Sequence, residues 1–216
     1  MKYTAAKTQV AGAPPARAKS GKVVARKSVP PGEIRIIGGH YKRTKLPVPD
    51  LPGLRPTPDR VRETLFNWLG QDLTGWRCMD VFAGTGVLGF EAASRGAVDV
   101  MLCEQDAGLV ARLKALQLKL GADMVKIERG DGVSLLRRQS EGSLQLVFLD
   151  PPFESPLFEP ALKAAAQAIT DTGLVYLEAP TPWTDELLAG FGLKLLRYGK
   201  AGAVHFHLLI RNTPAA

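Results

Sequence analysis

A chain of 216 residues, 45% hydrophobic and 23% charged, is long enough for one α/β domain with a sizeable core plus an appendage. No apolar run approaches the ~18 residues of a membrane-spanning helix, and the opening MKYTAAKTQVAGAPPARAKSGK lacks the apolar core of a secretory signal. The net charge of +7 is uneven: residues 1–49 hold eleven Lys/Arg against one acid, Glu33, whereas the remainder holds 17 basic and 20 acidic residues. A basic arm on a mildly acidic domain is the electrostatic footprint of a polyanion binder; a solubilising tail is the plainer alternative.

Residues 1–32 are mostly Ala, Pro, Gly, Ser and Lys/Arg, too poor in large apolar groups to fold alone, and read as a flexible basic tail. Their lack of acids also suits an organelle transit peptide, but Pro14 and Pro15 interrupt any amphipathic helix. GEIRIIGGHYKRTKL then reads as a hairpin, with an apolar strand at Ile34–Ile37, a turn at Gly38-Gly39 and a basic return strand. LPVPDLPGLRPTPD is a Pro-punctuated connector that must run extended, completing a unit of residues 33–56. Thr57 suits an N-cap, Pro58 the first helical position and Asp59 the positive end of the helix dipole; Val61, Leu65, Trp68 and Leu69 continue at helical spacing.

From there to residue 212 the pattern alternates. RCMDVFAG, VDVMLCE, MVKIERGD, LQLVFLDPPF and GLVYLEAP read as strands; GVLGFEAASRG, DAGLVARLKALQLKLG, GVSLLRRQS, PLFEPALKAAAQAIT and TDELLAG read as the intervening helices. Pro160 is expected to delay the start of its helix, and LKLLRYGK with AVHFHLLIRN forms a final strand pair. Near-continuous Val, Leu, Ile and Phe in the inner strands fits a sheet covered on both faces, so the expectation is a doubly wound, mostly parallel α/β sheet. Cys78 and Cys103 lie in apolar stretches without C-x-x-C spacing, as buried thiols of a reducing cytoplasm do, and a cytoplasmic location is expected.

The chemistry starts in DVFAGTGVLGFEA, where Gly84, Gly86 and Gly89 follow G-x-G-x-x-G between a strand and a helix. That loop fits NAD and S-adenosylmethionine equally. Glu104, at the tip of the next strand, suits the two ribose hydroxyls of an adenosine moiety, which both ligands carry. Asp131, at the third strand's tip, is placed for the adenine amino group. Asp80 would be repelled by a pyrophosphate and attracted by a sulfonium and an amino group, so the two aspartates favour the methyl donor.

Asp150-Pro151-Pro152-Phe153 decides between them. It ends the fourth strand, where open α/β sheets bind ligands. The exocyclic amino group of a purine is a weak nucleophile, and a carboxylate and a backbone carbonyl accepting its two N–H bonds would aim the nitrogen and ease loss of a proton. Pro151 has no N–H to compete, and Phe153 offers a face for an extruded base. A strand-ending turn with a core Phe is the alternative. The full pattern points to methyl transfer from S-adenosylmethionine to an amino nitrogen.

RIIGG at Arg35–Gly39, KLPVPDLPGLRPTPDRVRETLFNWL, DVFAGTGVLGFEAASRGA and DPPF together resemble the bacterial small-subunit (16S) ribosomal RNA guanine-N2 methyltransferase D family, from about Arg35 through Glu178. LRPTPDRVRETLFNWL is the most diagnostic of these segments. The resemblance implies a Rossmann-like class I methyltransferase fold, seven-stranded with an antiparallel last strand, carrying a small N-terminal hairpin that faces RNA. It implies Asp150–Phe153 as the base-amino site. The donor-binding candidates are Asp80, Phe82, Ala83, Gly84, Thr85, Gly86, Glu104, Gln105, Asp131, Gly132 and Asp150. It further implies 16S rRNA, within the small subunit or an assembly intermediate, as substrate. The family usually has an Arg-Gly-Arg run after the glycine pair, where this chain reads HYKRTK.

Arg35, Lys42, Arg43, Lys45 and Arg55 are read as phosphate contacts flanking the opening of the site. Arg60 and Arg62 cannot share a helix face; Arg60 is assigned to the donor pocket or RNA, and Arg62 to solvent or to pairing with Glu63. His40 is read as a solvated turn residue or a stacking group. His205 and His207 lack a third ligand and are read as an outward strand face, so no metal is expected. Trp68, Trp76 and Trp183 are read as core or cap aromatics, and a monomer is the default. The rival readings are an adenine-N6 DNA methyltransferase, for which the chain leaves no target-recognition domain; a nicotinamide oxidoreductase; and a non-catalytic assembly factor, against which the intact acids argue.

Overall fold

The structure is a computed structural model that describes residues 32–51, 54 and 56–212; the basic tail before Gly32 and Arg55 lie outside the described residues. A two-stranded antiparallel ribbon, β1 (Gly32–Arg35) and β2 (Lys45–Val48), precedes helix α1 (Asp59–Trp68). The alternating part follows as β3 (Arg77–Asp80), α2 (Val87–Ser94), β4 (Asp99–Glu104), α3 (Ala107–Leu120), β5 (Val125–Arg129), α4 (Gly132–Arg137), β6 (Leu144–Leu149), α5 (Phe158–Ala168), β7 (Ile169–Ala179), α6 (Asp185–Ala189), β8 (Leu193–Ala201) and β9 (Val204–Arg211).

The seven-stranded sheet has the order β5-β4-β3-β6-β7-β9-β8. Strands β5, β4, β3, β6 and β7 are parallel, and β9 runs antiparallel to both β7 and β8. This is the Rossmann-like arrangement expected from the sequence. The chain builds outward from β3 through β4 to β5 and then returns to the other side of β3 with β6. The crevice at the carboxyl ends of β3 and β6 is therefore the topological switch point, where such sheets bind ligands.

Two apolar clusters cover the faces. One joins the ribbon and helices α1 and α2 to the sheet through Ile34, Ile36, Leu46, Leu65, Phe66, Phe90 and Phe148; the other packs α4 and α5 against the opposite face through Val133, Leu136, Leu162, Val147 and Leu177. Each fully buried side chain of this size stabilises the fold by roughly 1.5–3 kcal/mol. Because the ribbon shares the first cluster, it is part of the domain's core. Trp68 stacks on Phe206, Trp183 stacks on Phe158, and Trp76 lies against the first cluster.

Local details depart from the sequence expectations. The ribbon turns through residues 36–44 instead of a two-residue Gly-Gly turn, and its return strand is KLPV. Its loop is held by α2: Ser94 accepts the Tyr41 N–H at Oγ (2.8 Å) and the His40 N–H at its carbonyl (2.7 Å). Gly39 has φ 71°, and a Cβ there would stand 1.8 Å from the Ser94 carbonyl oxygen, so only glycine fits. Thr57 does not cap α1, which begins after Pro58; its hydroxyl is engaged elsewhere. Pro160 does not delay α5 either. It occupies the first turn, where N–H groups have no intrahelical partner to lose.

Candidate active site

Each of the five parallel strands delivers one carboxylate at its carboxyl end. In sheet order these are Asp131 after β5, Glu104 ending β4, Asp80 ending β3, Asp150 following β6 and Glu178 near the end of β7. The sheet register makes three of them neighbours. Asp80 pairs with Phe148, Phe148 with Tyr176 and Leu149 with Leu177, so Asp150 and Glu178 continue the β6–β7 register side by side. Alternation along a strand then turns Asp80, Asp150 and Glu178 to one face, the face covered by α1.

Burial of these acids disfavours their charged forms. Asp80, 2% exposed, accepts the Gly89 N–H at 3.2 Å in the first turn of α2. Desolvation raises its pKa to about 7 despite that bond, with Glu104 and Glu178 adding to the rise. Asp150 is pushed well above the usual carboxylate range by burial, then by the neighbouring charges of Glu178 and Asp80. Glu178 is also raised by burial, although Thr57 Oγ1 (2.7 Å) and the Tyr176 hydroxyl (2.8 Å) both donate to its Oε1. Among the described residues no hydrogen bond reaches the Asp150 carboxylate, which leaves its oxygens to a ligand.

The glycine loop spans the gap between β3 and α2. Gly86, at φ 76°, starts α2, and Gly84 donates its N–H to Glu104 Oε2 at 2.9 Å. Glu104 Oε1 accepts from Gln105 N (2.7 Å) and Asp106 N (2.8 Å), so three of its roughly four acceptor sites are engaged by backbone. Asp131 caps α4 by accepting the Ser134 N–H at 2.6 Å; the Ser134 hydroxyl first, and then this N–H, lower its pKa, and Gln105 Nε2 approaches its other oxygen at 3.5 Å. Gly132 follows directly, and Phe82, Ala83 and Thr85 complete the loop. Leu54 lies over the loop beside Gly84. This acid-lined edge with a glycine crossover fits a ligand that carries positive charge.

Pro151 is buried, Pro152 is exposed and Phe153 is 37% exposed. The Pro152 carbonyl accepts Ser155 N at 2.9 Å, closing a turn, and no backbone N–H among the described residues donates to the Pro151 carbonyl. The corner thus presents one carboxylate, one open carbonyl and one aromatic face.

The basic residues divide into two groups. Arg60, exposed in the first turn of α1, borders a cleft of about 260 Å³ with Thr64, Lys200, Gly202 and Phe206. The β8–β9 turn that carries Gly202 lies at the same end of the sheet as Asp150, because His205 pairs with Ala179. Lys200 was not singled out from the sequence. Lys42 and Arg43 do not flank the opening: their loop docks at Ser94, the far end of α2, about 12 Å of helix from the glycine loop. A larger, polar cleft of about 530 Å³ lies there, lined by Lys42, Glu63, Asn67, Gln71 and Arg95, but none of the five strand-end acids borders it. Arg35 is exposed on β1, and Lys45 pairs with Glu33 at 2.7 Å with both side chains about half exposed. His40 is exposed and edge-on to Tyr41.

Two arrangements differ from the sequence reading. Arg62 is fully buried and bonds Glu91 (3.2 Å), Asp59 (2.5 Å) and the carbonyls of Arg35 (2.8 Å) and Thr57 (3.2 Å), so it is neither solvated nor paired with Glu63. Its fan of five donors is what lets a charged side chain replace water inside the core. His207 is fully buried instead of outward-facing; Nε2 accepts the Trp183 N–H (3.0 Å), and Nδ1 lies 3.2 Å from the Leu177 carbonyl. That pair of bonds fixes a neutral ring, and burial lowers its pKa.

The family model "Conserved hypothetical protein 95" matches residues 34–210. The Ribosomal RNA small subunit methyltransferase D of Escherichia coli K12 is 42% identical over 150 residues, 68% of this chain and 75% of the relative. Its namesake in Haemophilus influenzae is 38% identical over 182 residues, covering 82% and 93%. The chain belongs to this methyltransferase D family. Among solved structures, the yhhF protein of Escherichia coli, described as a methyltransferase, superposes with a TM-score of 0.71 at 38% identity, covering 83% of this chain and 98% of that one. A Haemophilus influenzae structure described as a methylase gives 0.67 at 32% identity, covering 83% and 99%. The chain is accordingly an enzyme of the methyltransferase class, and no helix among its described residues is long and apolar enough to cross a membrane.

Proposed function

We propose that this methyltransferase uses S-adenosylmethionine to methylate the exocyclic N2 of a guanine in 16S rRNA, within the small ribosomal subunit or an assembly intermediate, acting as a cytoplasmic monomer. The observation that carries the reading is the Asp150-Pro-Pro-Phe corner: an unbonded carboxylate, an open Pro151 carbonyl and a half-exposed Phe153 beside an acid-lined glycine loop. The bound donor supplies a methyl group activated on a positively charged sulfur. Asp80, Glu104, Asp131 and the backbone of Phe82–Gly86 and Gly132, with Gln105, would hold its cationic and adenosine parts.

Asp150 and the Pro151 carbonyl would accept the two N–H bonds of the guanine amino group. This aims the nitrogen lone pair and lets the departing proton pass to Asp150. Phe153 would stack on the extruded base, a contact worth roughly 1–3 kcal/mol. Arg60, with Arg35, Lys45, Arg55 and the more distant Lys42 and Arg43, would contact phosphates and supply affinity without sequence choice. Residues 1–32 would add a non-specific basic arm to the ribbon unit of residues 33–56 and the methyltransferase domain of residues 57–212.

The test is nucleoside mass spectrometry of 16S rRNA from cells lacking the protein, complemented with wild type or Asp150→Ala. Loss of one N2-methylguanosine, restored by wild type alone, supports the reading. Undiminished N2-methylguanosine in the deletion strain, or full restoration by the variant, overturns it.

A further inference from the structure

We propose that Glu178 is a positioning residue for methyl transfer: clamped by Thr57 and Tyr176 beside Asp150, it sets when Asp150 can accept the proton that leaves the nucleophilic nitrogen. The inference rests on the function proposed above and deepens it with a residue from another strand.

The geometry is specific. Glu178 is 3% exposed and follows Leu177, the register partner of Leu149, so it lies alongside Asp150 on the same face of the sheet. Its Oε1 takes two hydroxyl bonds, 2.7 Å from Thr57 and 2.8 Å from Tyr176. Tyr176 is itself fixed, fully buried and edge-on to Phe148. A carboxylate built only to stabilise the fold would gain more from a cation, and a buried cation stands on α1. Arg62, however, turns its guanidinium to Asp59 and Glu91. Glu178 is thus held by neutral donors, which fix its position without cancelling its charge.

The groups facing Asp150 are Asp80 from β3, and Tyr176 and Glu178 from β7; Glu104 on β4 acts further along the row through Asp80. All the acids push in the same direction. Burial raises the Asp150 carboxyl first, and a negative charge on Glu178 adds to it, making Asp150 hold its proton to higher pH. In the reaction an N–C bond forms as the C–S bond breaks, the bonding pair passes to sulfur, and an N–H proton is taken by the Asp150 carboxylate. Only ionised Asp150 can accept that proton. A like charge beside it makes it a stronger base and raises the pH at which it becomes available.

The decisive measurement is the 13C titration of the Asp150 carboxyl carbon in the full chain, assigned by loss of its signal in Asp150→Asn, in wild type and Glu178→Gln. Gln keeps an oxygen for Thr57 and Tyr176 and removes the charge. The expected result is an Asp150 midpoint lower by on the order of one pH unit in Glu178→Gln. The acidic limb of kcat/KM for the methyl donor, which reports ionisations of the free enzyme, should shift the same way, with the plateau falling because a weaker base takes the proton. An unmoved midpoint overturns the proposal, as does a lowered plateau with an unmoved limb, the mark of a merely structural residue. If Glu178→Gln fails to fold, wild type alone decides: linked carboxyls must each report both titration steps, and a single independent step at each carbon overturns the coupling. A midpoint that shifts in a protein that methylates no small-subunit RNA would sink the proposed function and leave the coupling standing.

Discussion

Arg62 Nη1 and Glu91 Oε2 meet at 3.2 Å with no exposed side-chain surface on either residue, joining α1 to α2 across 29 positions of sequence. Glu91 also accepts Arg95 through Nε (3.1 Å) and Nη2 (2.9 Å), and the backbone N–H groups of Ile37 (2.9 Å) and Gly38 (2.8 Å). Arg95 in turn lies 4.5 Å from the centroid of the Phe66 ring and bonds the Gln71 side chain. Three segments that look separate in the sequence, RIIGG, PTPDRVRETLF and GFEAASRG, are therefore one buried polar joint.

Removing the centre of that joint leaves two guanidinium groups and two amides without their acceptor. Glu91→Ala is expected to destabilise the protein by about 3–5 kcal/mol, the range for breaking a buried ion pair from one side. Urea unfolding monitored by far-UV circular dichroism measures the loss. A change below 1 kcal/mol would mean that water readily replaces the carboxylate.

Gly39→Ala tests the loop that docks on Ser94. The added methyl meets backbone, which cannot rotate away, and the left-handed φ adds strain. A loss of at least about 1–3 kcal/mol is expected in the same assay. Gly142→Ala is the control: it shares a positive φ (62°) but has open space around it, so it carries the conformational cost without the collision.

The sign of the pH dependence follows from Asp80. Burial pushes its folded pKa up to about 7, above the ordinary 3.8 of an aspartate, so its contribution to stability is full below pH 3.8 and is lost as pH rises through about 7. Thermal or urea unfolding of the ligand-free protein should show stability falling by on the order of a few kcal/mol across that window. Asp80→Asn should make the slope shallower, the remainder coming from the buried Asp150 and Glu178 carboxyls. An unchanged slope in the variant would place the titrating group elsewhere.

Arg60 and Lys200 border one cleft at the Asp150 end of the sheet from two elements, α1 and the β8–β9 hairpin. Replacing each with Ala should weaken binding of small-subunit RNA uniformly across sequences and lower the slope of log affinity against log salt by about 0.7–0.9 per charge removed. Filter binding at several salt concentrations gives that slope. A loss of affinity with the slope intact would indicate a packing role.

Much of the fold was legible because apolar runs and glycine punctuation report buried parallel strands directly. The acids at the ends of β3, β4, β5 and β6 were legible for a related reason, since a carboxylate terminating an apolar run is conspicuous. Glu178 in GLVYLEAP carries the same signal, but no glycine loop or Pro-Pro corner follows it to mark a site, and the segment reads only as a strand. Arg62 and Thr57 could not be read this way. A buried arginine looks like a solvated one until its acceptors are located, and those come from positions 35, 57, 59 and 91. Thr57 satisfied every local rule for an N-cap, yet Glu178, 121 positions away, took its hydroxyl. His207 was misjudged because alternation assigns residues to faces without saying which face is covered.

The row of carboxylates has a consequence for how the enzyme comes into being. Its five members are contributed by five strands spread from Asp80 to Glu178, and their order across the sheet differs from their order along the chain. No contiguous fragment shorter than residues 80–178 can contain the row. Nor can a half-folded intermediate lacking β7 complete it, even with the glycine loop already in place. Activity should thus emerge in one late step during biosynthesis, after Glu178 has been made and has met Thr57 of the earlier segment, and products truncated before β7 should lack methyl transfer.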